Sequence, residues 1–177
     1  APSSLALLDD LGVWTSIRQA RAALYTHMHV WDTASGAAID FDAAGEGRAG
    51  LGYIVENSLI QWTLWQALAE AGVRQLCPAE VTGFEAGEDR IQLQLADGDS
   101  LSASVLVAAD GAGSPLRQLA GIGTHGRDYA QRAVVAHVAT ERPHEHTAWQ
   151  RFLPAGPLAL LPLADGRSSL VWSLPEA

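Results

Sequence analysis

The stretch VLVAADGAGSPLR, residues 105–117, constrains the fold of this 177-residue chain more than any other segment. Residues 105–109 are small and apolar without a break, the pattern of a strand buried on both faces of a parallel sheet. Asp110 follows at the carboxyl end of that strand, where open α/β sheets gather their ligands. Gly111 and Gly113 allow positive φ or close backbone approach. Ser114 is a helix cap, and Pro115 suits the first helical position because it has no N–H to satisfy. Arg117, one turn in, can reach back to Asp110 or out to a phosphate. An ordinary strand–turn–helix in which Asp110 and Arg117 only pair uses the same residue types, so residue chemistry leaves both readings open.

A second glycine pattern, GIGTHG at 121–126, matches G-x-G-x-x-G literally. A dinucleotide fingerprint needs a strand before it and a helix after it, so that pyrophosphate sits over the helix N-terminus. This one follows a short helical stretch and precedes RDYAQ, so it reads as a flexible connector.

Periodicity orders the rest. Ser3 or Ser4 caps a first helix with Leu5, Leu8 and Leu11 on one face and Gly12 as its stop. Residues 25–32 and 37–42 read as strands joined by the turn TASG, and alternation puts Tyr25, His27, His29 and Trp31 on one side. That side is the expected substrate face. Residues 57–72 form the clearest helix, capped by Asn57 or Ser58 and carrying the stripe Ile60, Leu64, Leu68 and Ala71. Strand-like segments follow at 74–86, 91–96 and 100–110, with DGD at 97–99 as a hairpin turn. From about residue 127 onward, four apolar segments separated by Pro- and Gly-containing turns suggest an antiparallel meander.

Bulk properties exclude several functions. The net charge is −9 and no Lys/Arg cluster exists, which argues against nucleic acid and against attachment to anionic lipid by charge. Peripheral contact through an apolar patch stays open, since it needs little positive charge. The single cysteine, Cys77, allows no internal disulfide and fits a reducing, cytoplasmic setting. No apolar run approaches the roughly 20 residues needed to cross a bilayer, and the first residues lack a basic signal-peptide start. The pairs His27/His29 and His144/His146 lack a third ligand at telling spacing, so no metal is expected. Ser114 lacks the G-x-S-x-G of a hydrolase nucleophile, and Asp40, Asp42 and Glu46 read as solvated carboxylates.

The 105–117 stretch resembles the D-G motif of the flavoprotein aromatic hydroxylases. The blocks at 51–65, 128–144, 150–163 and 169–177, with LGVW and HVWD near the start, are similar to consecutive blocks of the ubiquinone-biosynthesis FAD-dependent hydroxylases. YIVEN, VWD and TERPH lean toward the 2-octaprenylphenol hydroxylase (VisC-like) branch. The resemblance implies a mixed α+β and α/β fold of the p-hydroxybenzoate hydroxylase type, with part of an FAD lobe (1–22 and 52–125) and an antiparallel substrate sheet (23–51 and 126–177). It implies a monooxygenase that binds FAD, is reduced by NAD(P)H and hydroxylates a polyprenylphenol, with other proteins of a ubiquinone-biosynthesis complex as partners. It assigns FAD contacts to Asp110, Gly111, Ser114 and Arg117, and a further one to Gln61. Two of that family's nucleotide motifs are missing, so these residues look like the middle of such an enzyme, with poor FAD binding and no turnover by themselves. A flavin hydroxylase of another aromatic compound, or a non-catalytic lipid- or partner-binding module, are the alternatives.

Overall fold

The computed structural model describes residues 2–176. They divide by contact into two units: residues through Val73 together with those from Asp128 onward, and Arg74–Arg127 between them.

The first unit opens with α1 (Pro2–Asp10) and α2 (Trp14–Arg21). Gly12 turns the chain between them at φ +71°, a conformation that glycine adopts without steric cost. Helix α2 has no counterpart in the periodicity reading; its signal was the pair Val13 and Ile17, four apart and both buried. Strand β1 (Ala22–Tyr25) and β2 (His27–Asp32) are two strands, broken at Thr26, where a single run was expected. The break lets β1 pair with β4 (Gly52–Val55) while β2 pairs with β3 (Ala38–Asp42).

Helix α3 (Asn57–Glu70) begins at Asn57, one of its two expected caps, so its cap falls one residue earlier. Glu56 holds the cap position, and its side chain makes no capping bond because the carboxylate pairs with Arg21 at 3.0 Å. The predicted stripe on α3 is only half covered: Ile60 and Leu64 are half-buried and Leu68 is exposed.

In the second unit, β5 (Val81–Ala86), β6 (Ile91–Leu95) and β7 (Ser100–Ala103) form an antiparallel sheet that packs against α4 (Pro115–Leu119). Residues 74–80 are not strand. Neither are 105–109, where Val105 and Val107 are 72% and 76% exposed. A strand buried on both faces needs a hydrogen-bonded neighbour, and none of the described residues pairs with this segment.

The first unit resumes with β8 (Gln131–Val138), β9 (Thr147–Leu153), β10 (Gly156–Pro162) and β11 (Ser168–Pro175). The six-stranded sheet runs β3-β2-β9-β10-β11-β8. Only β9-β10-β11 is a meander; β8 pairs with β11 at the far edge rather than with β9. Its place beside β9 is taken by β2, which runs parallel to β9 from His27↔Thr147 to Asp32↔Phe152.

The β9–β10 hairpin turns through Pro154 and Ala155 into Gly156, which has φ +140°. A Cβ there would lie 2.3 Å from the Ser173 carbonyl oxygen. Gly156→Ala is expected to destabilise the first unit by more than about 1 kcal/mol, because neither the φ nor the space suits a side chain. Urea unfolding checks this, and an unchanged midpoint would count against the close packing of β10 on β11.

Candidate functional site

The segment after β7 carries the chain past Asp110 into a turn and then into α4. Gly111 has φ +90°, and an added Cβ would meet nothing within 4 Å, so its backbone faces open space. Ser114 is buried and caps α4, its hydroxyl accepting from the Arg117 N–H at 3.0 Å. The same hydroxyl donates to Asp110 Oδ1 at 2.5 Å, and the Leu116 N–H donates to Asp110 Oδ2 at 3.2 Å.

Asp110 and Arg117 do not bond directly. The Arg117 guanidinium donates to the Ala112 carbonyl at 2.7 Å. Its Nε is enclosed and has no hydrogen-bond partner. A cavity of about 510 Å³ adjoins the cluster, lined by Phe84, Ile91 and Leu106 together with Gly111, Ser114 and Arg117. The i, i+4 spacing of Asp110 and Ser114 was visible in the sequence, but which neighbour would take the carboxylate was not.

The Asp110 carboxyl titrates below the ordinary 3.8, first because the Ser114 hydroxyl donates to its ionised form. Desolvation opposes this; the Leu116 N–H and, last, the Arg117 charge add to the lowering.

Gln61 is an exposed residue of α3 and belongs to the first unit. The histidine pairs have partners of other kinds. His29 Nδ1 lies 2.5 Å from Asp40 and His27 Nε2 3.3 Å from Asp42. His144 and His146 each face a backbone carbonyl, of Leu163 and Leu24, at 3.1 Å. Among the described residues no group of three or more His, Cys, Asp or Glu could hold a metal ion. No helix there is long and apolar enough to cross a membrane. GIGTHG follows α4 without entering a helix: Gly121 closes α4 at φ +68°, and the next element is β8.

The mixed sheet-and-helix architecture is that of the p-hydroxybenzoate hydroxylase-type monooxygenases. A probable FAD-dependent monooxygenase from Pseudomonas aeruginosa superposes with a TM-score of 0.81 at 23% identity, over 98% of this chain and 49% of that one. The chain belongs to the FAD binding domain family, whose model matches residues 1–175. It is 39% identical to the 3-demethoxyubiquinol 3-hydroxylase of Escherichia coli, across 96% of this chain and 44% of that protein. It is also 39% identical to the mitochondrial ubiquinone biosynthesis monooxygenase COQ6 of Mus musculus, across 98% of this chain and 38% of that one. The chain thus spans less than half the length of these relatives.

Ser114→Ala is expected to return the Asp110 pKa most of the way to its ordinary value, and Arg117→Met to move it much less. Because the folded value is depressed, the stability linked to Asp110 is complete above the unfolded pKa and fades as pH falls through the folded one. Ser114→Ala therefore weakens this acid-side loss. NMR titration of the Asp110 carboxyl measures both effects, and a larger response to Arg117→Met would overturn the ordering.

Proposed function

We propose that these residues form part of a flavin-dependent aromatic monooxygenase that hydroxylates a polyprenylphenol in ubiquinone biosynthesis. The observation that carries the reading is the Asp110–Ser114–Arg117 cluster, in a chain of the FAD binding domain family whose relatives include ubiquinone-biosynthesis hydroxylases. FAD, once bound and reduced by NAD(P)H, supplies the oxygen chemistry. The protein's part is to hold the cofactor, orient the ring and exclude water.

The residues present fit an anionic cofactor. The Arg117 Nε–H is enclosed without an acceptor, and a buried donor in that state is costly unless something accepts from it. Beside Gly111 the backbone faces open space that a ligand can enter. Ser114 keeps Asp110 ionised and correctly turned, so that the carboxylate is available to a ribose hydroxyl or a bound water. Gln61 offers a further amide on α3. In this reading 1–22 with 52–125 serve the flavin, and 23–51 with 126–177 serve the substrate. A polyprenylphenol resides in the bilayer, so we place the enzyme at the cytoplasmic face of the inner membrane, in peripheral contact.

The test uses the protein at the full length of its relatives. It is expected to purify with FAD and to oxidise NAD(P)H faster when a prenylphenol is added, with one labelled oxygen atom from O₂ in the product. Asp110→Ala is expected to weaken FAD retention about tenfold, the size expected for losing hydrogen bonds to a charged group. A colourless protein, or NAD(P)H oxidation indifferent to phenols, would refute the assignment.

A further inference from the structure

Residues 139–146 carry the chain from β8 to β9 and end in an uncommon turn. Glu145 and His146 follow one another at φ +50° and +53°, in the left-handed region. A residue with a Cβ is crowded there, and two in succession persist only where their surroundings hold them. The turn stands at the first rung of the β2–β9 ladder. The His146 carbonyl accepts the Thr26 N–H at 2.8 Å and the His27 N–H at 3.3 Å, so it sets where β2 meets β9.

Two sets of bonds hold the turn. Buried Thr147 supplies one: its N–H donates to the His144 carbonyl at 2.9 Å and its hydroxyl to the Glu145 carbonyl at 3.2 Å. Neither bond involves a titrating group. The half-buried His144 ring supplies the other. Its Nδ1 accepts the His146 N–H at 3.1 Å, and its Nε2 donates to the Leu163 carbonyl, in the β10–β11 turn, at 3.1 Å. A backbone N–H only donates and a carbonyl only accepts. Both bonds therefore coexist in one form of the ring alone, the neutral form with its proton on Nε2. A proton added at Nδ1 sets two donors face to face. His146 is different: its Nδ1 meets the Leu24 carbonyl at 3.1 Å, which a ring protonated there suits whether neutral or charged.

The charged groups around His144 shape what acid does. On its own connection Glu145 favours a charged ring, while Arg142 and His146 oppose one. In the β10–β11 turn, which His144 reaches through Leu163, Asp165 and Arg167 pair with each other at 2.6 Å and leave little net charge. On β2, His27 and His29 are engaged by Asp42 and Asp40, so charging them tightens the β2–β3 hairpin. Acid thus strengthens the hairpin while it breaks the His144 bond, and the change it brings is a local release.

The same connection borders a cavity of about 470 Å³, where Arg142, His144 and Glu145 meet Trp31, Trp149 and Leu160 of the sheet. We propose that His144 is an acid-sensitive latch on this rim. Neutral, it holds the Glu145–His146 turn in place; protonated, it drops the His146 N–H and frees residues 143–146 to move away from the cavity. The latch belongs to the connection and operates whatever occupies the cavity, so it stands apart from the polyprenylphenol reading.

The experiment follows amide hydrogen exchange of the segment 143–149 in the protein at the full length of its relatives. Rates are corrected for intrinsic exchange and compared at about pH 8 and about pH 5.5, either side of the ordinary imidazole range. Protection is expected to fall about tenfold on acidification, the size of one lost hydrogen bond, and to return on neutralisation. His144→Phe is expected to be weakly protected at both pH values, and His146→Gln to keep the full pH response. NMR of isotope-labelled histidine in the wild-type protein is expected to show the His144 ring protonated on Nε2 alone at the higher pH. A ring protonated on Nδ1 at that pH, protection indifferent to acid, or a response that survives in His144→Phe overturns the latch. Where His144→Phe does not fold, the wild-type ring spectrum and exchange response decide by themselves.

Discussion

The parallel ladder between β2 and β9 is the contact on which the first unit depends. It joins residues 27–32 to residues 147–152, across the whole of the second unit in sequence. Closing so long a loop costs entropy that no local interaction repays, so the return must come from the rows of side chains that the ladder aligns. Without it the β2–β3 hairpin would be an isolated pair, which is marginal in water, and the β8–β11 sheet would lose two of its six strands.

The same ladder makes the two faces of the sheet chemically distinct. It brings the His/Asp pairs of the β2–β3 hairpin against Trp149 on one side, and Val30 against Gln150 on the other. One face thereby gathers the His/Asp pairs and tryptophan rings, while the other carries Val30, Gln150 and Ala159. The Asp110 turn works on a different principle. Its order comes from within eight residues, through a hydroxyl that bonds a carboxylate and a backbone N–H at once. A local motif can be set correctly even where the segment leading into it, 105–109, has no strand to pair with.

Much of the fold was readable, and the failures have physical causes. The β2–β3 hairpin, α3 and the β5–β7 sheet follow from period, caps and turns, all of which act over a few residues. The Ser114 cap was readable for the same reason. The Glu56 cap was not, because Arg21 claims its carboxylate from 35 residues away. Of the two partners open to Arg117, Asp110 is not the one it bonds: its guanidinium donates to Ala112, since Ser114 and Leu116 supply the carboxylate's bonds. A meander was expected from β8 to β11 because sequential strands usually neighbour each other; β2 displaced β8 from β9 by a pairing that no local pattern encodes.

Residue order alone determined which side chains share a face within each strand, since that period is two, and it determined the hydroxyl-to-carboxylate turn at Ser114, since its atoms are covalently close. Tertiary structure alone decided which strands are neighbours and in what register. Gln150 therefore stands between Val30 and Ala159 for a reason absent from its own surroundings in the chain: register between distant strands is chosen by the burial of whole faces, and that is a property of the assembled sheet.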